Sequence, residues 1–117
     1  MTTQNLGTFG ETLAKKYLDN QGYTWHENNY RSKFGEIDII VSKDKEIVFC
    51  EVKTRRGSAF GRGIESVDFR KLQKIIKTIQ IYLAFHGISS APWRLDVIEI
   101  TILPRKAQIR HHKDVLG

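Results

Sequence analysis

Two strand-like runs separated by a short charged turn constrain this chain more than any other feature: GEIDIIVS (35–42) and EIVFCEVKT (46–54). Side chains two apart on a strand share a face. Asp38 therefore lies with Glu36, Ile40 and Ser42, while Glu51 lies with Ile47, Phe49 and Lys53. An even-length turn centred on Asp44-Lys45 pairs Ser42 with Ile47, Ile40 with Phe49, Asp38 with Glu51 and Glu36 with Lys53. This register matches apolar residues with apolar residues, but it sets two carboxylates side by side. Directly opposed side chains have Cβ atoms about 4.5–5.5 Å apart, close enough for like charges to destabilise the hairpin. The pair needs a positive partner, or one acid must keep its proton.

The flanking segments give the rest of the architecture. Thr8-Phe-Gly-Glu11 fits a capping box, and Phe9, Leu13 and Tyr17 follow on one helical row with Ala14 and Leu18 beside it. A helix is expected from about Thr8 to Asn20, ended by Gly22. GYTWHENNYRS reads as a strand. After the loop TRRGSAFGRGIE, Ser66 is the expected N-cap of a long helix running to His86-Gly87, with Leu72, Ile75, Ile76, Ile79, Tyr82 and Leu83 as its core face. WRLDVIEITIL is a strand stopped by Pro104, and AQIRHH a last strand near a frayed end. The order is α-β-β-β-α-β(-β), an α/β fold with a mixed central sheet flanked by helices. At 117 residues, one domain over 1–117 is expected.

Composition excludes some classes. No apolar run approaches the ~18 residues of a membrane helix, and MTTQNLGTFGETLAKK lacks the apolar stretch of a signal peptide. A cytoplasmic protein without membrane attachment is expected. The single cysteine, Cys50, offers neither an internal disulfide nor cysteine metal spacing, and reads as a small core residue. His111 and His112 are adjacent and face opposite ways on a strand, a poor metal pair. Trp25 and Trp93 are expected in the core or half-buried. Arg94 and Asp96 share a strand face and can pair.

The net charge of +6 is concentrated. Between Lys53 and Lys77 there are eight basic residues (Lys53, Arg55, Arg56, Arg62, Arg70, Lys71, Lys74 and Lys77) against Glu65 and Asp68, and the remainder of the chain balances. Such a stripe is either a solvated helix face or a surface for phosphates. The Gly- and Arg-rich loop leaving the strand at Lys53 favours the second. An anionic, phosphate-bearing partner is expected.

Spacing leaves the carboxylates open between two readings. In one, Asp38 and Glu51 form a hard-oxygen site for Mg²⁺ or Mn²⁺, with Lys53 aimed at the same phosphate. In the other they lie on an edge-strand solvent face with a Glu36–Lys53 ion pair. Glu11 is either the N3 residue of the capping box or an acid leaning toward the sheet.

The set GTFGETLAKKYL, GEIDII, VFCEVKTRRGSAFG, VDFRKLQKI and WRLDVI, spanning about Gly7 to Ile98, resembles the YraN-like family of the PD-(D/E)XK nuclease superfamily, which has the restriction-endonuclease-like fold. The resemblance implies that Asp38 is the motif aspartate, that Glu51 and Lys53 are the D/E-x-K pair, and that Glu11 is the helix-one acid of resolvase-like members. It implies a Mg²⁺- or Mn²⁺-dependent endonuclease with Asp38, Glu51 and Glu11 toward metal, Lys53 catalytic, and branched DNA as substrate. The family is similar to archaeal Holliday-junction resolvases. One site cuts one strand, so symmetric cutting of a junction would require a homodimer. The alternative is a non-catalytic nucleic-acid-binding module serving a helicase or recombination factor. The ending HHKDVLG lacks the aromatic terminus associated with the family.

Overall fold

The computed structural model describes residues 3–57 and 68–117. The elements are α1 (Thr3–Asn20), β1 (Thr24–Arg31), β2 (Glu36–Lys43), β3 (Glu46–Arg56), α2 (Phe69–Phe85), β4 (Trp93–Ile102) and β5 (Ala107–His112). This is the order expected from sequence, including the last strand. The five strands form one mixed sheet in the order β1-β2-β3-β4-β5. Among the described residues only β3 and β4 run parallel, and α2 lies in the crossover between them.

The β2–β3 hairpin has the predicted register: Ser42 pairs with Ile47 and Ile40 with Phe49. Asp44 and Lys45 both have positive φ, 52° and 68°. A two-residue turn of this kind matches the strand twist and fixes the register. The ladder stops at Ile39–Cys50, however, so the expected Asp38–Glu51 and Glu36–Lys53 ladder pairs do not form. The Asp38 carboxylate instead accepts a hydrogen bond from the Val52 amide at 2.7 Å. The two strands part where the charges begin.

Two apolar clusters sandwich the sheet. Under α1, Ala14 and Leu18 pack on Ile39, Val41, Cys50, Ile98 and Ile100. Under α2, Ile75, Ile79, Tyr82 and Leu83 pack on Ile40, Phe49 and Leu95. Both helices end in a left-handed glycine. Tyr23 N–H reaches Leu18 O and Gly22 N–H reaches Asp19 O, with Gly22 at φ 89°. Ile88 N–H to Leu83 O and Gly87 N–H to Ala84 O repeat this arrangement after α2, with Gly87 at φ 67°.

Three boundary expectations are corrected. Helix α1 begins at Thr3, so Thr8 lies inside it and Glu11 is not the N3 residue of a capping box. Ser66 lies outside the described residues, and the cap of α2 is Asp68, whose carboxylate accepts from Lys71 N–H at 2.8 Å. The C-terminal end is tied down rather than frayed: Val115 N–H donates to Leu95 O at 2.8 Å, and Asp114 N–H to the Asp96 carboxylate at 2.9 Å.

A buried polar network anchors the same end. Arg94 donates to Asp96, Glu46 and the Tyr23 hydroxyl, and His111 bridges Asp96 and the Tyr17 hydroxyl at 2.7 and 2.9 Å. The Arg94–Asp96 pairing is as expected, and Asp96 stays below the usual carboxylate range because hydrogen bonds from His111, Arg94 and the Asp114 amide outweigh its burial. His112 pairs with Glu99 on the opposite face at 2.5 Å. Among the described residues no helix is long and apolar enough to cross a membrane.

Close packing of α1 on β3 makes a specific demand at Gly10. A Cβ there would lie 1.7 Å from Thr54 Oγ1, whereas at Gly7 it would meet nothing within 4 Å. Gly10→Ala is expected to destabilise by about 1–3 kcal/mol despite the better helix propensity of alanine. Gly7→Ala is expected to stabilise by up to ~1 kcal/mol. Thermal unfolding of the two variants checks the docking of α1.

Candidate active site at the parting of two strands

Where β2 and β3 separate, the acidic residues collect. Asp38 and Glu51 line one open cleft of about 230 Å³ with Glu36, Lys71 and Lys74. Glu51 is 9% exposed. Burial, followed by the charge of Glu51, pushes Asp38 up to about 8, although the Val52 amide pulls the other way and Glu11 and Glu36 add to the rise. The like-charge conflict anticipated from the sequence is therefore present, even though the backbone ladder ends one residue earlier.

Glu11 enters from α1. Burial and then the neighbouring charge of Glu36 raise its carboxyl, with Glu51 adding to the shift and a hydrogen bond from Asn29 opposing it. With its amide nitrogen turned toward the carboxylates, Asn29 donates to Glu36 Oε1 at 2.9 Å and Glu11 Oε1 at 3.1 Å. Asn29 has φ 52° in the middle of β1, between residues that pair with Ile39 and Ile37. Asparagine tolerates the left-handed region better than most residues, and strained backbone of this kind gathers at functional sites. Sequence reasoning missed Asn29. The only signal was an Asn-Asn pair inside a strand-like segment, which is too common to single out.

The basic residues divide. Lys71 Nζ lies 3.2 Å from Glu51 Oε1. Burial alone would lower Lys71, but Glu51 outweighs it and the ammonium is held above its usual value. Lys53 is half-buried on the same strand face as Glu51, within hydrogen-bonding reach of Lys71. Its own value is lowered, first by burial and then by the charge of Lys71. Lys74 lines the cleft, and Lys77 sits over the Phe34 ring with Nζ 4.9 Å from the centroid. Arg55 is half-buried, and Arg56 and Arg70 are exposed. Arg62 lies outside the described residues. Glu36 pairs with Arg31 at 3.1 Å, not with Lys53.

The position of α2 over this cleft is fixed by a small polar clasp. Ser32 Oγ bonds Thr78 Oγ1 at 2.8 Å and accepts from the amides of Phe34 and Gly35, while Thr78 also donates to Lys74 O. The β1–β2 turn and the helix that carries Lys71 and Lys74 are thereby joined.

Two neighbouring carboxyl groups, one of them costly to ionise and already oriented by a backbone amide, suit a hard divalent cation, which takes one or two carboxylates and fills its other positions with water or phosphate oxygens. Among the described residues no group of three or more His, Cys, Asp or Glu is gathered for a metal. Glu11 shares the electrostatic environment of Asp38 and Glu51, but its hydrogen bond goes to Asn29.

Asp38 makes stability depend on pH. From its unfolded value of 3.8 to about 8, the folded chain keeps a proton that the unfolded chain has released, so stability falls as pH rises through that window. Asp38→Asn keeps an acceptor for Val52 N–H and removes the charge. Urea unfolding at pH 9 is expected to find the variant more stable than wild type by ~1–3 kcal/mol, and at pH 4 nearly equal to it.

Residues 10–100 match the family described as Uncharacterised protein family UPF0102. A UPF0102 protein of Caldanaerobacter subterraneus subsp. tengcongensis is 40% identical over 114 residues, covering 97% of this chain and 93% of that protein. A UPF0102 protein of Clostridium botulinum strain 657 is 46% identical over 100 residues, covering 85% of this chain and 81% of that one. One from Clostridioides difficile strain 630 is 42% identical over 106 residues, covering 91% and 93%. The chain belongs to the UPF0102 family.

Proposed function

We propose that this chain is a metal-dependent DNA endonuclease of the PD-(D/E)XK type, cutting phosphodiester bonds in branched or recombination-intermediate DNA. The observation that carries the reading is the convergence of Asp38 and Glu51, with Asp38 raised to about 8, beside two lysines. A carboxyl strongly perturbed by burial and a specific charge partner, sitting in an open cleft, is a functional-site candidate.

Asp38 and Glu51 would hold Mg²⁺ or Mn²⁺, and the ion when bound supplies Lewis-acid activation of water and neutralises phosphate charge. The other roles fall to the chain's own residues. Lys53, with its lowered basicity, is suited to take a proton from the attacking water or to meet negative charge developing on the phosphate. Lys71 would move its ammonium from Glu51 to a phosphate oxygen when DNA enters, and Lys74 lies beside it for a further contact. Glu11, held by Asn29, would orient a water. In the overall step, water oxygen bonds to phosphorus, one P–O ester bond breaks, and the leaving oxygen takes a proton.

The Lys71–Glu51 ion pair also favours a second reading, a DNA-binding module without catalysis that partners a helicase or recombination factor, because an ammonium already offsets one of the acids. Cleavage separates the two. Wild type, Asp38→Asn and Lys53→Ala are incubated with labelled branched, flapped and linear DNA in Mg²⁺, Mn²⁺ or EDTA. The nuclease reading expects cutting by wild type that drops about 100-fold or more in each variant and vanishes in EDTA. Binding by all three proteins with no cutting in any metal supports the module instead.

A further inference from the structure

Trp25 departs from its sequence expectation: it is 48% exposed and takes no part in the cluster beneath α1, whereas Trp93 is half-buried against Phe49. It stands on the edge strand β1 at a break in register, where Trp25 pairs with Val41 but Glu27 pairs with Ile40, leaving His26 as the extra residue. Bulges of this kind re-aim side chains and recur beside functional sites. The indole is held in place: its Nε1 donates to Asn28 Oδ1 at 2.5 Å, and Lys15 Nζ lies 4.5 Å from the ring centroid.

The ring lines a groove of about 370 Å³ between α1 and β1, along with Thr12, Lys15, Lys16, Asp19 and Tyr23. Thr12 and Lys15 also line a second groove of about 270 Å³ together with Glu11 and Asn29. Those two residues belong to the candidate acidic site, so the grooves adjoin along α1 between the acids and the indole. Glu11 and Lys15 are one helical turn apart, about 6 Å, the span of one or two nucleotides.

The chemistry of the groove selects an occupant. An indole held at its rim stacks with any nucleobase at about 1–3 kcal/mol per base. Lys15 and Lys16 suit the phosphates of the same strand, and Asn28, whose side-chain oxygen takes the Trp25 N–H, keeps its amide nitrogen for a base edge, whereas Asn29 is engaged by Glu11 and Glu36. Within a duplex the base faces are covered by neighbouring pairs everywhere except at the two ends, so along a strand it is an unpaired base that can use this ring. We propose that the Trp25–Lys15 groove binds a nucleotide of an unpaired DNA arm leaving the acidic site. Tailed or branched DNA, rather than blunt duplex, is then the substrate class. The proposal rests on the DNA reading above and gives it a structural basis for choosing among DNA forms.

The test measures binding, without cutting. In EDTA, fluorescence anisotropy compares a blunt duplex with the same duplex carrying a single-stranded oligo-dT tail, for wild type, Trp25→Ala, Trp25→Phe and Lys15→Ala, each checked for unchanged thermal unfolding. Wild type is expected to bind the tailed form about 5- to 100-fold more tightly. Trp25→Ala should bring the tailed form down to the blunt value while leaving blunt binding unchanged. Trp25→Phe should retain part of the preference, and Lys15→Ala should weaken the tailed form with a reduced salt slope. No tail preference in wild type, or a preference that survives Trp25→Ala, overturns the proposal. Failure of the nuclease reading is distinct: tail preference would persist while Mg²⁺ and Mn²⁺ produce no cleavage. Absence of any salt-sensitive DNA binding would overturn both.

Discussion

The opposition of two carboxylates where β2 and β3 part is the constraint on which the rest of the site depends. Up to Ile39 and Cys50 the hairpin is an ordinary ladder with an apolar interior. Beyond it, Asp38 turns its side chain onto the Val52 amide, Glu51 stays almost wholly buried, and burial together with the Glu51 charge raises the cost of ionising Asp38. A fold shaped only for stability would place a hydrophobic pair here. The ladder ends where the acids begin, and the cleft there lies between the β1–β2 turn, the two strands and α2.

Each neighbouring element answers that charge. Helix α2 brings the ammonium of Lys71 to Glu51, and the Ser32–Thr78 clasp sets the height of the helix above the cleft. Helix α1 brings Glu11, restrained by Asn29 from a strained position on β1. The far edge behaves differently. There Asp96 is fully satisfied by Arg94, His111 and the Asp114 amide, and it lies below the usual carboxylate range rather than above it. Two aspartates in one sheet thus show opposite electrostatics: the paired, buried Asp96 anchors the C-terminal end, and the under-compensated, half-buried Asp38 lines the candidate site.

Much of the architecture was legible because it depends on short-range pattern. Alternation in GEIDIIVS and EIVFCEVKT fixed both strands and their register, and the three-and-four spacing of Ile75, Ile79, Tyr82 and Leu83 identified the buried face of α2. Boundaries were less legible. Thr8 and Glu11 satisfy a capping box by spacing, yet α1 begins earlier, at Thr3. Asp68, two residues after Ser66, does the capping of α2. The site was legible in Asp38, Glu51 and Lys53, since neighbours on one strand and across a hairpin follow from period and register. Lys71 on Glu51, Asn29 on Glu11 and the outward display of Trp25 were not, because each depends on how separate elements dock or on a bulge that the sequence does not announce.

The account turns on Asp38 and Glu51 sharing one electrostatic environment. The most direct measurement is a carbon-13 NMR titration of the Asp38 carboxyl in wild type and in Glu51→Gln. The account predicts a wild-type midpoint near 8 that moves down toward the ordinary carboxylate value once the Glu51 charge is removed. An Asp38 that titrates near 3.8 in both proteins would contradict it.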